Sequence, residues 1–327
     1  MYPRHSVASD ATAGPRYSVV IPVYRNEGTL AALVERLDGL AAELDGPLEA
    51  VFVVDGSPDG SLVLLRRLLA EETAFSSQLI ALSRNFGSFS AIRAGLAAAE
   101  GGVVGVMAAD LQEPVSLVRA FFDELDTKEY DVAVGVRRSR ADDRGSQTAS
   151  RLFWWLYRHL VQRELPPGGV DVFGCTRQVA GELIRMDESH TSLVGLIYWI
   201  GFRRVEIPYD RLPRPEGTSA WSFRRKARYL LDSIFSFTDL PITLIIVLGA
   251  LGVTVSAVAG IAVFTAWATG QIDVPGYTPL ILAVFFMTSL MLISLGIVGS
   301  YVWRTYENSK GRPGAVTMTH ERFGRGR

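Results

Sequence analysis

The sequence predicts an α/β chain in two parts: a mainly parallel sheet domain covered by helices, then amphipathic interfacial helices and two transmembrane helices. Three observations predict it. Short β-branched runs alternate with segments apolar at helical spacing as far as Val136, two later segments carry no charge, and a basic, aromatic-rich stretch separates the two parts.

The first strand is expected at 18–23 and the second at 50–54. Between them, 29–44 places Leu30, Leu33, Val34 and Leu37 on one helical stripe, which makes a βαβ unit. The pattern repeats with helix 62–69, strand 79–82, helix 89–99, strand 103–108, helix 115–125 and strand 131–136. Continuous apolar strands between amphipathic helices imply a parallel sheet buried on both faces, and ligands of such sheets bind at the carboxyl ends of the strands.

The segments 240–268 and 274–303 contain no Asp, Glu, Lys or Arg. At 1.5 Å per residue each reaches roughly 43 to 45 Å, beyond the roughly 30 Å hydrocarbon core of a bilayer. A buried core helix is the alternative, but helices this long and apolar all round are out of place inside a domain of this size. The connection between them has Asp273 and no cation, whereas Arg224, Arg225, Lys226 and Arg228 precede the first segment and Arg304, Lys310 and Arg312 follow the second. The positive-inside rule therefore puts the sheet domain and both termini in the cytosol, as a multi-pass protein of the cell membrane. Between 219 and 239, Trp221, Phe223, Tyr229, Leu230, Leu231, Ile234, Phe235 and Phe237 interleave with the basic cluster. That text reads as helices on the membrane surface facing lipid headgroups, or as a solvated helix packed on the domain.

The expected divisions are a polar N-terminus at 1–16, the sheet domain at 17–218, juxtamembrane helices at 219–239, a transmembrane hairpin at 240–303 and a cytosolic tail at 304–327. The 327 residues are 48% hydrophobic with a mean hydropathy of +0.20, high for a soluble enzyme. A net charge of −1 recommends no nucleic-acid partner. Cys175 is the single cysteine, and it shows no metal-ligand spacing with the four histidines, which argues against a zinc site.

Three strand ends carry polar residues: Pro22-Val23-Tyr24-Arg25-Asn26-Glu27, Asp55-Gly56-Ser57-Pro58-Asp59-Gly60-Ser61, and Asp110-Leu111-Gln112-Glu113-Pro114. An aspartate just past a strand can accept hydrogen bonds from a base or ribose, which suits Asp55, although Asp-Gly-Ser also favours simple turns. Asp110 and Gln112 can offer oxygens to a divalent cation on a diphosphate, although Glu113-Pro114 also resembles an ordinary helix start.

In their order these motifs resemble the family 2 glycosyltransferases of GT-A fold, a Rossmann-like and mainly parallel sheet, in the dolichyl- or polyprenyl-phosphate sugar synthase subgroup with a C-terminal two-helix anchor. Val20 to Tyr24 with Asn26-Glu27, Asp55-Gly56-Ser57, Ser83-Arg84-Asn85-Phe86-Gly87, Asp110 to Pro114, and Gly217-Thr218-Ser219-Ala220-Trp221 carry the resemblance. It implies inverting transfer of a sugar from a UDP- or GDP-sugar to a polyprenyl phosphate on the cytosolic membrane face. Pro22, Tyr24, Glu27 and Asp55 would line the nucleotide pocket, and Asp110 with Gln112 would hold Mg2+ or Mn2+. Asp171 would act near the sugar as base or positioning group, or cap a turn. Arg137 and Arg138 would receive phosphates, or lie in a solvated loop. Arg211, Arg214 and Ser219 would bind the lipid phosphate. The resemblance also implies contact with membrane lipids and leaves room for a homo-oligomer.

The chain departs from the family at two places. Ala108 stands where the first of two aspartates is usual, and Val54 precedes Asp55 where a polar residue is common. Both departures motivate a rival reading as a catalytically reduced nucleotide-sugar-binding or assembly subunit. A polysaccharide synthase fits less well, since its Gln-x-x-Arg-Trp motif is missing.

Overall fold

A computed structural model describes residues 14–138, 159, 164, 166, 170, 172–186, 192–212, 231–238, 240–269 and 277–324. The first half follows the expected alternation: β1 (Tyr17–Val23), a 3-10 turn (Glu27–Thr29), α1 (Leu30–Glu43), β2 (Leu48–Val54), α2 (Ser61–Ala70), β3 (Ser76–Leu82), α3 (Ser88–Ala98), β4 (Val103–Val106), α4 (Val115–Asp126) and β5 (Val132–Arg137). After it come β6 (Phe173–Thr176), α5 (Arg177–Arg185), α6 (Leu193–Trp199) and β7 (Arg204–Tyr209). The described part of a helix at Leu231–Phe237 is α7, and the chain continues through α8 (Leu240–Ala268), α9 (Tyr277–Ser309) and β8 (Thr317–Phe323).

These strands form one sheet in the order β7-β5-β6-β4-β1-β2-β3-β8. β1 runs parallel to β2 and β4, β2 to β3, and β5 to β7, while β6 and β8 are antiparallel to their neighbours. Period-two alternation sends Val19 and Ile21 to one face, against Leu33 and Leu37 of α1 and Phe121 and Phe122 of α4. Val20, with Val51 and Val53 of β2, faces the other side, against Ile92 and Leu96 of α3 and Val179 and Leu183 of α5. All of these are buried, each contributing roughly 1.5–3 kcal/mol by leaving water. Burial on both faces is why the strands read as unbroken apolar runs.

The helix pair has the opposite character. Side chains such as Ile246, Val258, Leu292 and Leu295 are 63–65% exposed. Phe286–Ser309 is long and apolar enough to cross a membrane, and Leu231–Phe237 with Leu240–Gly252 meets the same test as a pair bent by 83°. α7 fastens this part to the rest. Arg304 pairs with Asp232 at 2.7 Å and lies 4.9 Å from the Phe235 ring centroid, and Phe237 packs so closely on Gly195 of α6 that a Cβ there would meet its ring at 2.4 Å. Of the expected 219–239 segment only 231–238 is described, and the connection 270–276 lies outside the described residues.

Residues 304–327 were expected as a tail, and the described part of that segment, up to 324, contains the end of a helix and a strand. α9 continues to Ser309, and β8 joins the sheet antiparallel to β3, from Leu82↔Thr317 to Ser77↔Phe323. Glu321 pairs with Arg66 at 2.6 Å, Arg322 with Glu100 at 2.7 Å, and His320 bonds Gln78 at 2.6 Å. The polar faces of β8 hid it in the sequence, since an edge strand needs only one buried flank.

Candidate functional site

The carboxyl ends of β1, β2, β4, β5 and β7 lie at one end of the sheet, and the loops there interlock. After β1, Arg25 takes a left-handed conformation (φ 58°), which turns the chain so that its N–H donates to Ser57 Oγ at 2.8 Å. The Ser57 hydroxyl donates to Asp59 Oδ1 at 2.5 Å, and Asp59 Oδ2 accepts from the Glu27 N–H at 3.3 Å. Burial pushes the Asp59 pKa up, but hydrogen bonds from Ser57, Ser61 and Glu27 outweigh it and hold the carboxyl below its usual range. Glu27, expected in the nucleotide pocket, returns the bond: its Oε2 accepts from the Gly60 N–H at 2.8 Å. Pro22 is half-buried within β1, and Tyr24 is 39% exposed beyond it.

Asp55 is 2% exposed, with Oδ1 accepting from the Phe86 N–H at 2.7 Å and Oδ2 from the Gly87 N–H at 2.8 Å. Its carboxylate therefore anchors the loop before α3, and any bond to a base must use a remaining lone pair. This explains Gly56. At φ +57° it lies against Arg84 and Asn85, where a Cβ would come within 2.3 Å of backbone. The Ser83-to-Gly87 motif carried the family resemblance without a role, and its backbone amides now have one.

Asp110 is half-exposed, and its Oδ1 accepts from the Gln112 N–H at 3.3 Å. Leu111 between them is left-handed (φ 59°), an unfavourable state for a branched side chain. Thr29 Oγ1 ties this loop to the start of α1 by donating to the Ala109 carbonyl at 2.7 Å. Gln112, expected as a metal ligand, is engaged elsewhere: its amide oxygen accepts from the Arg211 guanidinium. Among the described residues no group of three or more His, Cys, Asp or Glu side chains converges to hold a metal. Asp110 fits one ligand position of a magnesium-like ion, which commonly takes few protein carboxylates and completes its shell with water and phosphate oxygens.

Arg137 ends β5 in register with Tyr209 of β7, so the arginine pair Arg137-Arg138 and the residues Asp210-Arg211 leave the sheet side by side. Arg138 approaches Asp210 at 3.9 Å. The antiparallel β6 brings its start to the same end, with Gly135 N–H donating to the Val172 carbonyl at 2.9 Å. Asp171, Arg214 and Ser219 lie outside the described residues. The Gln112–Arg211 contact joins residues 99 positions apart, for which no local pattern exists.

Residues 18–182 match the family described as Glycosyl transferase family 2. The putative glycosyltransferase CsbB of Bacillus subtilis is 34% identical over 90% of this chain and 89% of its own. The undecaprenyl-phosphate 4-deoxy-4-formamido-L-arabinose transferase of Klebsiella pneumoniae is 28% identical over 91% of each chain. A solved structure of the mannosyltransferase PcManGT from Pyrobaculum calidifontis, in complex with GDP-Man and Mn2+, is 17% identical over 88% of this chain and 89% of that one, with a TM-score of 0.43. The chain belongs to glycosyl transferase family 2: it is a glycosyltransferase, and its mainly parallel mixed sheet is a GT-A-like fold.

Proposed function

We propose that this glycosyltransferase moves a sugar from a nucleoside diphosphate sugar, of the UDP or GDP type, to a polyprenyl phosphate at the cytosolic face of the cell membrane. The observation that carries the reading is the alignment over 91% of the chain with an undecaprenyl-phosphate sugar transferase, which extends past the sheet domain into the apolar helices. The fold supports the two-span arrangement. The chain leaves the sheet domain through α7 and α8 and rejoins the same sheet as β8, a route that needs an even number of membrane crossings.

An acceptor phosphate oxygen attacks the anomeric carbon as the bond to the donor diphosphate breaks, with inversion. The acceptor is already anionic at neutral pH, so positioning and charge neutralisation outweigh proton removal. Pro22, Tyr24, Glu27 and Asp55 shape the nucleotide pocket, Glu27 and Asp55 by holding its loops. Asp110 would hold Mg2+ or Mn2+, whose charge, when bound, stabilises the leaving diphosphate. Arg137, Arg138 and Arg211 offer guanidinium groups to phosphates, with Arg214 and Ser219 following in the chain as further acceptor-binding residues and Asp171 acting near the sugar.

The test is incubation of the purified protein in detergent with radiolabelled nucleotide sugars and undecaprenyl phosphate. Glycolipid formation is the expected result. Nucleotide binding with no transfer from any donor would instead favour the nucleotide-sugar-binding subunit that Ala108 and Val54 suggest.

A further inference from the structure

We propose that the joint between α7 and α9 binds the headgroup of a zwitterionic phospholipid bearing a primary ammonium, with Asp232 and Ser300 receiving the ammonium and Arg304 the phosphate. The inference rests on the membrane placement of α9 given above, and it uses none of the residues assigned to the sugar donor or the acceptor.

A cavity of about 360 Å³ opens beside this joint, lined by Asp232, Gly296, Gly299, Ser300, Trp303 and Arg304. Sites for small ligands commonly measure roughly 300–1,000 Å³. Five of the six residues come from α9, at positions three, four, seven and eight beyond Gly296, so they share one face of the helix. A Cβ on Gly296 or Gly299 would meet nothing within 4 Å, which leaves an open trough along the apolar length of α9 where an acyl chain can lie. The charged end of the trough carries Trp303, in the position of an interfacial aromatic. A lipid fits this combination, with its chain in the trough and its headgroup at Asp232 and Arg304.

Charge complementarity selects the headgroup. Arg304 Nη2 donates to Asp232 Oδ1 at 2.7 Å, and the side chains are 19% and 29% exposed, so the cavity wall is already neutral. A ligand of net charge would unbalance it, whereas a ligand carrying both signs matches both partners. Each partner also has capacity beyond this contact. The Arg304 contact occupies Oδ1 of Asp232 and leaves Oδ2 for another donor. Arg304 Nη1 is buried with no hydrogen-bond partner among the described residues, and a phosphate oxygen would supply its acceptor. Ser300 donates its hydroxyl proton to the Gly296 carbonyl at 3.0 Å, so towards a ligand its oxygen can only accept. Two acceptors beside an unspent guanidinium N–H suit an ethanolamine headgroup, whose ammonium carries three donors. A choline headgroup has no N–H to offer them, and a glycerol headgroup brings no cation for Asp232. The bound lipid would bridge α7 to α9 beside the point where Phe237 fastens α7 to the sheet domain.

The test is native mass spectrometry of the full chain in detergent, supplied with an equal mixture of dioleoyl phosphatidylethanolamine, its N-methyl and N,N-dimethyl forms, phosphatidylcholine and phosphatidylglycerol. Retention by the wild-type protein should fall stepwise as methyl groups replace N–H, by about tenfold from ethanolamine to choline, with phosphatidylglycerol no better than choline. This series needs no variant to fold. Asp232→Asn keeps an oxygen for Arg304 but removes the charge, and it should lower ethanolamine retention to the choline level. Ser300→Ala should lower it by about threefold. Equal retention of ethanolamine and choline lipids, or a preference for phosphatidylglycerol, would overturn the assignment. Free phosphoethanolamine binding as tightly as the whole lipid would overturn the lipid as its source. Vesicle flotation separates the two levels of the argument: protein that does not float with phospholipid vesicles would sink the membrane placement and this inference together, whereas protein that floats without headgroup preference would sink this inference alone.

Discussion

The two ends of the sheet solve opposite problems. At the carboxyl end of the parallel strands, Tyr24, Asp110 and Arg138 keep polar groups partly open to solvent, and the backbone passes through left-handed conformations at Arg25, Gly56, Gly87 and Leu111. At the amino end, Glu49 is buried and fully occupied: its oxygens accept from Ser18 Oγ and Gln78 Nε2, each at 2.6 Å, and from the Glu100 N–H at 2.8 Å. Gln78 adds the Ala98 carbonyl at 2.9 Å and His320 of β8, and Ser18 Oγ accepts from the Gly101 N–H at 2.8 Å. A site must keep hydrogen-bonding capacity in reserve for substrate and tolerates strained backbone to aim it. A structural joint can pair Ser18, Glu49, Gln78 and His320 internally, and by doing so it locks the register of β1, β2, β3 and β8.

Substitutions at the two ends should separate stability from activity. Glu49→Ala removes the acceptor of two buried donors and one part-buried donor and should cost about 3–5 kcal/mol of stability, with transfer per folded molecule unchanged. Denaturant titration alongside a transfer assay checks it, and a stable variant with impaired transfer would erase the contrast. Asp110→Asn should do the reverse, lowering transfer by about 100-fold or more with an unmoved thermal midpoint. Full turnover in that variant would remove Asp110 from the metal site. Gly56→Ala bridges the two behaviours. It forces a Cβ against Arg84 and a left-handed φ, so we expect about 2 kcal/mol of destabilisation together with weaker nucleotide binding.

The smallest expected effect concerns pH. Asp131, at the amino end of β5, has its pKa lowered by hydrogen bonds from Arg203, against the opposing effect of burial. A depressed carboxyl contributes stability that is present above its unfolded value of about 3.9 and is lost as pH falls through the lower folded value. Asp59 at the site end behaves likewise. Asp131→Asn should therefore flatten the fall in thermal midpoint between about pH 5 and 3. Parallel curves for the two proteins would show that the Arg203 contact contributes nothing.

The comparison also explains what was legible beforehand. The strand-end motifs stood out because tight turns and polar punctuation are local and recur at fixed places in the βα unit. The roles of Glu27 and Asp55 were less legible. Both read as groups facing a ligand, yet Glu27 caps Gly60 and Asp55 holds the Phe86-Gly87 amides. A carboxylate after a strand looks the same in sequence whether its acceptors face substrate or a neighbouring loop. The amino-end network was not legible, since Ser18, Glu49 and Gln78 are single polar residues inside apolar strands and only pairing brings them together.

By itself the sequence determined the repeating βα order, the two faces of the sheet and the two charge-free helices, because periodicity and hydropathy act over a few residues. Tertiary structure alone decided the insertion of β6 between β4 and β5, the return of β8 to the edge of β3, and the contact of Gln112 with Arg211. Each joins segments far apart in the chain, β8 from beyond both apolar helices. Such pairings follow from which edges and donors remain unsatisfied once the local elements have packed, and no stretch of sequence records that on its own.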